Sequence, residues 1–121
     1  MPNQKQALGS WGEQCAAEYL EEHGYQIVAR NVRSEYGEID LLARHADVLV
    51  FVEVKARSSE SFGHPEGAIT ALKQQHLLDS ALAYLQAHPD MEGDWRVDVI
   101  SVQRMNNGRP EILHFENALD G

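Results

Sequence analysis

The chain has 121 residues, of which 43% are hydrophobic and 24% are charged, and its formal net charge at pH 7 is −9. This size and composition are those of a globular protein with one core, and we expect a single domain over residues 1–121. No apolar run approaches the ~20 residues that a membrane helix needs, and the N-terminus carries no secretory signal, so we expect a cytoplasmic protein without a membrane partner.

The first predicted element is a helix over residues 6–23. Small and apolar residues recur there at helical spacing and define one face: Leu8, Gly12, Cys15, Ala16 and Tyr19. Glu13 lies at the margin of this face, whereas the other glutamates of the segment point away from it. Gly24 directly follows the helix and is typical of a helix C-terminus.

Three strands are predicted next, over residues 25–33, 38–43 and 48–57. Side chains alternate between the two faces of a strand, so one face of the first strand is expected to hold Tyr25, Ile27 and Ala29. The same alternation predicts an all-valine core face on the third strand, formed by Val48, Val50, Val52 and Val54.

The second half of the chain predicts one more helix and two more strands. The helix is expected from Pro65, a residue suited to a first helical turn, to about His88. Strands are expected over residues 95–102 and 111–115, with an Asn-Asn-Gly turn between them. The resulting order, α-β-β-β-α-β-β, predicts a three-layer α/β fold on a mixed sheet.

Acidic residues and a lysine recur on the second and third strands. Glu38 and Asp40 are two residues apart and should project together, as should Glu53 and Lys55. If these strands pair as a hairpin, three carboxylates and one ammonium group converge on a small area.

Such a group of charges suits a cation site for phosphodiester hydrolysis. Mg²⁺ prefers oxygen ligands, typically one or two carboxylates with water and substrate phosphate. Asp40 and Glu53 are the predicted ligands, and the main-chain carbonyl of Val54 is another candidate. Lys55 is predicted to orient or deprotonate water and to stabilise developing negative charge. Glu13 is a candidate to complete the site or to hold a second ion, and Glu38 is a further one.

The same residues also allow a purely structural interpretation, a cross-strand ion pair of Lys55 with Asp40 or Glu53. Exposed pairs of this kind contribute only ~0–1 kcal/mol to stability. They leave the remaining carboxylates unexplained, because like charges packed together repel unless a cation lies among them.

Basic residues near this group bear on nucleic-acid binding, which rests on Lys and Arg. Residues 30–57 hold five basic and five acidic residues and are neutral, although the whole chain is acidic. Arg57 should share a face with Lys55 and is either a phosphate contact or a solvated strand end. Lys73 is either a phosphate contact or a surface lysine with a buried stem. An acidic protein that never contacts DNA stays open as an interpretation.

Twelve residues separate Asp40 from Glu53, and the pattern Asp-x12-Glu-x-Lys resembles the PD-(D/E)xK nuclease superfamily. Ile39 stands where the name of that superfamily has Pro. The chain is similar to the YraN-like family, uncharacterised bacterial proteins related to the archaeal Holliday-junction resolvases. The matching stretches are GSWGEQCAAEYL, GYQIVARNVRSEYGEIDLLAR, LVFVEVKARSSESFGHPEGAI, Lys73 and RVDVISV.

This resemblance implies a restriction-endonuclease-like core with α-β-β-β-α-β order. It implies a nuclease site made of Glu13, Asp40, Glu53 and Lys55, with Mg²⁺ or Mn²⁺ as cofactor. It also implies DNA, branched or otherwise structured, as substrate, a role in repair or recombination, and a symmetric homodimer. A non-catalytic module of the same fold that binds nucleic acid or protein stays open, because relatives can keep a fold and lose its activity.

Overall fold

The computed structural model describes residues 3–58, 70–91 and 93–119. The helices and strands of this part of the chain follow the predicted order: α1 Gln4–Glu22, β1 Gln26–Ser34, β2 Gly37–His45, β3 Val48–Ser58, α2 Ala71–Ala87, β4 Trp95–Arg104 and β5 Pro110–Phe115. A short 3₁₀ helix, Pro89–Met91, lies between α2 and β4. The start predicted for the second helix, at Pro65, lies outside the described residues. Neither α1 nor α2 combines the length and the apolar character that crossing a membrane requires.

The five strands form one mixed sheet in the order β1-β2-β3-β4-β5. β3 and β4 are parallel, and the other neighbouring strands are antiparallel. Parallel neighbours need a crossover connection, and α2 lies in the connection between these two strands. α1 packs on one face of the sheet and α2 on the other. The three layers and the element order are those of a restriction-endonuclease-like core, as predicted.

β3 is the central strand and is apolar on both faces for most of its length. Its four alternating valines belong to the cluster beneath α1, which confirms the predicted core face. Leu49 and Phe51 point the opposite way and pack with Leu77 and Ala81 of α2. The first charged residue of β3 is Glu53, which follows these apolar residues and is itself only 5% exposed.

β1 contains an irregularity that changes which face its residues occupy. The pairing register with β2 shifts between Ile27 and Ala29. Ile27 packs in the cluster beneath α1, whereas Ala29 packs in the cluster beneath α2. The prediction that Tyr25, Ile27 and Ala29 share one face is therefore wrong, because an inserted residue reverses the alternation of a strand. Asn31 follows the irregularity and has a left-handed backbone, with φ 51°.

α1 approaches β3 most closely at Gly12. A Cβ atom added to Gly12 would lie 2.6 Å from the Cβ atom of Ala56, a distance that two real side chains cannot adopt. Glycine is therefore required for this helix to lie so close to the strand. Because Glu13 is the next residue, the close approach also determines how near its carboxylate lies to the sheet.

Candidate metal centre

Asp40 lies one residue before the point where the pairing of β2 with β3 begins, at Leu41 and Val52. Its Oδ2 atom accepts a 2.8 Å hydrogen bond from the backbone N–H of Val54. Burial raises the pKa of Asp40, and the hydrogen bond from Val54 opposes that rise. The carboxylate of Asp40 is thus fixed to β3 directly beside Glu53.

Glu53 is a buried carboxylate that the protein satisfies only in part. Within the described residues, its Oε2 atom is buried and has no hydrogen-bond partner. Burial and then the negative charge of Asp40 raise the pKa of Glu53 to about 7, against the opposing effect of Lys73 and Lys55. An unsatisfied buried polar atom costs about 1–3 kcal/mol. Oε2 is therefore available to bind a cation or to accept a hydrogen bond.

Two lysines flank Glu53 from different elements. The Nζ atom of Lys55 lies 3.9 Å from Oε1 of Glu53, and the Nζ atom of Lys73 lies 3.6 Å from the same oxygen. These distances exceed hydrogen-bonding range, so the groups attract one another as charges. The side chain of Lys55 is 19% exposed and that of Lys73 is 39% exposed. Lys73, predicted as either a phosphate contact or a surface lysine with a buried stem, thus borders the predicted cation ligands.

The carboxylates of Glu13 and Glu38 complete an acidic group around Asp40. Burial is the main cause that raises the pKa of Glu13, followed by the charges of Asp40 and Glu38. Glu38 also forms an ion pair with Arg33, with 3.5 Å between Oε2 and Nε. The structure thus places all four predicted acidic residues in one region, where Asp40 adjoins both Glu13 and Glu53.

The oxygen donors of this region fit a small divalent cation. Across residues 3–58, 70–91 and 93–119, no three side chains of His, Cys, Asp or Glu are grouped closely enough to hold a metal ion. Mg²⁺ typically takes only one or two carboxylates from a protein and keeps several waters. Asp40 and Glu53 provide two carboxylates, and the carbonyl of Val54 is a third oxygen. The unsatisfied Oε2 atom and the raised pKa values of both acids indicate a site that a cation would stabilise.

Two arginines lie beyond this centre, where β3 and β4 end. Arg57 follows Lys55 on the same face of β3, and its Nη1 atom donates a 3.1 Å hydrogen bond to the carbonyl of Ala56. Arg104 is paired with Ser58 in the parallel register, and its guanidinium lies 5.7 Å from the centre of a Trp11 ring. Neither arginine forms an ion pair within the described residues. Arg104 was not predicted from the sequence, since only the register of β3 on β4 brings it to this end of the sheet.

A separate polar network surrounds Asp98 on the α1 face of the sheet. Asp98 is fully buried and accepts hydrogen bonds from Arg96 at 2.9 Å and from the backbone N–H of Asn117 at 2.9 Å. Its Oδ2 atom is 2.7 Å from Nε2 of His114, whose Nδ1 atom is 3.1 Å from the hydroxyl of Tyr19. Although burial opposes ionisation, the hydrogen bonds from His114 and Arg96 hold the pKa of Asp98 below its ordinary value. The network therefore joins α1, β4 and β5 through the carboxylate of Asp98, whose charged form it stabilises.

Comparison with known proteins gives one family and several relatives. A family model described as "Uncharacterised protein family UPF0102" matches residues 12–102. A UPF0102 protein of Syntrophomonas wolfei is 43% identical over 111 residues, which cover 92% of this chain and 96% of the relative. One from Nocardia farcinica is 45% identical over 115 residues, which cover 93% and 88%, respectively. The matched range includes every residue of the candidate metal centre.

Among solved structures, Pyrococcus furiosus SfsA in complex with Ca²⁺ aligns with this chain at a TM-score of 0.35 and 14% sequence identity. The alignment covers 97% of this chain and 65% of the SfsA chain.

Proposed function

This chain belongs to the uncharacterised protein family UPF0102, and we propose that it is a metal-dependent endonuclease that hydrolyses phosphodiester bonds in DNA. The observation that carries the proposal is the buried Glu53, which adjoins Asp40 and two lysines and has one carboxylate oxygen without a partner. Asp40, Glu53 and the carbonyl of Val54 would hold Mg²⁺ or Mn²⁺, and Glu13 would support them. The bound ion would supply a water of lowered pKa and neutralise charge on the scissile phosphate.

The reaction adds water across a phosphorus–oxygen bond, with the hydroxyl on phosphorus and a proton on the leaving oxygen. The backbone N–H of Val54 holds Asp40, so that this ligand needs little reorganisation before the reaction. The ammonium of Lys55, beside Glu53, orients the attacking water and stabilises negative charge as it develops on the phosphoryl oxygens. The ammonium of Lys73, which lies on α2, balances the second negative charge of the carboxylate pair Asp40 and Glu53.

The substrate phosphates would meet the protein at the end of β3 and β4. Arg57 and the half-exposed Lys73 present positive charge there on the α2 face of the sheet, and Arg104 does so on the α1 face beside Trp11. The two arginines have no acidic partner within the described residues. Phosphate contacts by Lys and Arg supply most of the non-specific affinity for DNA. These three residues would therefore provide local affinity in a chain whose net charge is −9.

Branched DNA is the substrate class that we propose first. A four-way junction has two-fold symmetry and matches a symmetric homodimer, in which each protomer would cut one strand. A role in repair or recombination in the cytoplasm follows from this proposal. Light scattering of the protein with and without a junction would measure whether a dimer forms.

The central experiment incubates the purified chain with linear, flapped and four-way DNA in Mg²⁺ or Mn²⁺. We expect cleavage by the wild type and loss of cleavage in Asp40→Asn, which keeps an oxygen that can accept from Val54. Glu111→Gln, an exposed change on β5, serves as the control and should cleave as the wild type does. No cleavage of any substrate, or equal cleavage by Asp40→Asn, would overturn the proposal.

A second candidate function is a non-catalytic module that binds nucleic acid or protein on the same fold. The net charge of −9 favours this candidate, since it opposes DNA binding outside the arginine-bearing end of the sheet. Calorimetric titration with Mg²⁺ separates the two candidates. Binding that Glu53→Ala abolishes counts for the nuclease, whereas DNA binding without any affinity for Mg²⁺ counts for the module.

A further inference from the structure

We infer that Asn31 is a positioning residue, which holds the carboxylates of Glu13 and Glu38 together and so presents Glu13 to the metal centre beside Asp40. The inference deepens the proposed nuclease function and rests on it, because Glu13 matters for catalysis only if the centre binds a cation. Nothing in the motif pattern of the chain assigns this role to Asn31.

The side-chain amide of Asn31 forms hydrogen bonds to two acids. Its Nδ2 atom donates to Oε1 of Glu13 at 3.0 Å and to Oε1 of Glu38 at 2.7 Å. The two acids determine this orientation of the amide, because the opposite orientation would turn its oxygen toward two carboxylate oxygens. One NH₂ group has two hydrogens, so it can bridge both carboxylates at once. The bridge ties α1 to β2 through a residue of β1.

The backbone of β1 brings the amide to this position. Asn31 lies between the residue pairs Arg30–Leu41 and Val32–Ile39, and therefore stands opposite Asp40 on the neighbouring strand. Its φ of 51° is left-handed, a conformation that asparagine adopts more readily than most residues. Arg30 adds a second tie between β1 and α1, a 2.9 Å hydrogen bond to Gln14.

A neutral donor suits this place better than a cation would. Glu13, Glu38 and Asp40 repel one another as like charges. The amide of Asn31 holds Glu13 and Glu38 close together without placing a permanent positive charge beside them. A lysine or arginine here would compete with a divalent cation for the same carboxylates. Outer groups of this kind orient metal ligands, and their loss typically reduces metal affinity or activity by about 10–100-fold.

The first test uses the metal-free protein. Asn31→Gly preserves the left-handed backbone and removes the amide, and Glu13→Ala removes its partner. We expect the two changes to be non-additive in urea unfolding, because each single variant already breaks the same hydrogen bond. Additive changes in the free energy of unfolding would overturn the inference, whether or not the protein binds metal.

The second test titrates Mn²⁺ into the full chain by calorimetry. We expect Asn31→Gly to weaken Mn²⁺ binding by about 10–100-fold. Asn117→Gly is the matched control, since Asn117 has nearly the same backbone conformation, with φ 50°, and lies in the turn after β5. Its Mn²⁺ affinity should equal that of the wild type. Under limiting Mn²⁺, Asn31→Gly should lower kcat while KM for DNA stays constant, since Asn31 acts through Glu13.

These results separate the inference from the proposed function. If the wild type binds no Mn²⁺ and cuts no DNA, the nuclease proposal fails together with the role of Asn31 at a metal centre, and coupling between residues 31 and 13 then decides only whether Asn31 holds Glu13. If the wild type binds Mn²⁺ and Asn31→Gly binds it equally well, the inference fails and the nuclease proposal stands.

Discussion

The backbone N–H of Val54 donates a 2.8 Å hydrogen bond to Oδ2 of Asp40, at the point where regular pairing between β2 and β3 stops. The side chain of Asp40 on β2 thus takes the place of a main-chain carbonyl as the acceptor for the N–H of Val54 on β3. The same contact fixes a proposed cation ligand and satisfies a backbone group that pairing leaves unmatched.

Substitutions of Asp40 should therefore separate stability from catalysis. Asp40→Asn keeps an acceptor for Val54 but removes the charge, so we expect it to fold well and to lose DNA cleavage. Asp40→Ala also leaves the N–H of Val54 without its acceptor and should be less stable than Asp40→Asn by about 1–3 kcal/mol. Urea unfolding of both metal-free variants measures the difference. Equal stability of the two would contradict a structural role of this hydrogen bond.

The raised pKa of Glu53 predicts a pH-dependent stability of the metal-free protein. Its folded pKa of about 7 lies above the ordinary value of 4.5, so the folded state holds a proton that the unfolded state releases. The contribution is fully present below about pH 4.5 and is lost as pH rises through 7. The loss is on the order of 3 kcal/mol.

Glu53→Gln should remove this dependence. We expect the variant to be more stable than the wild type at pH 8 and similar to it near pH 4, because its side chain does not ionise. Added Mg²⁺ at pH 8 should stabilise the wild type and leave Glu53→Gln unchanged. Thermal unfolding across this pH range measures both effects, and parallel curves for the two proteins would contradict the prediction.

The close approach of α1 to β3 at Gly12 should not tolerate a larger residue. Gly12→Ala places a methyl group 2.6 Å from the Cβ atom of Ala56, so the helix must move, at a cost of about 1–3 kcal/mol. Gly9→Ala is the control on the same helix, because its added methyl group contacts nothing within 4 Å, and it should stabilise the protein by up to about 1 kcal/mol. Adding Ala56→Gly to Gly12→Ala should restore part of the loss. Equal effects of the two single variants would contradict the close approach.

The two lysines beside Glu53 should have different kinetic effects. Lys55→Met removes the group proposed to act on water and should lower kcat by on the order of 100-fold. Lys73→Met should mainly raise KM for DNA. It should also reduce the slope of the log binding constant against the log salt concentration by about 1, as expected for a phosphate contact. Lys5→Met, on the exposed N-terminal part of α1, should change neither value. A fall in kcat of equal size for Lys55→Met and Lys73→Met would contradict this division.

The network around Asp98 should matter for stability alone. Asp98→Ala leaves Arg96 and His114 without their buried partner and should destabilise the protein by about 3–5 kcal/mol. Glu111→Ala, at an exposed position of β5, should stay within about 0.5 kcal/mol of the wild type. Cleavage per folded molecule, measured well below the unfolding temperature, should be unchanged in Asp98→Ala.

Much of the fold was predictable because its signals are local. The alternating valines of β3 and the short connection predicted over residues 44–47 indicate a central hairpin from neighbouring residues alone, and the structure shortens that connection to two residues. The grouping of Asp40, Glu53 and Lys55 follows from the same hairpin. Ala29 was assigned to the wrong face because periodicity gives no sign of a register shift.

The remaining contacts depend on geometry that the sequence does not state. Asn31 resembles any polar strand residue until its left-handed backbone and its two acidic partners are known. Arg104 reaches the end of the sheet only through the parallel register of β4 on β3. An asparagine directly after Arg30 on a predicted strand was the one available signal for Asn31, and that pattern alone is too common to decide a role.

The hydrogen bond between Tyr19 and His114 joins residues 95 positions apart in the chain. During synthesis the first helix leaves the ribosome long before the strand that carries its partner. Contacts between such distant residues slow folding, since a long loop must close before they form. Asp98 gains its histidine only at that late step. The protein is therefore expected to reach its folded state after synthesis has passed His114. A chain that ends before His114 would lack one of the hydrogen-bond donors of the buried Asp98.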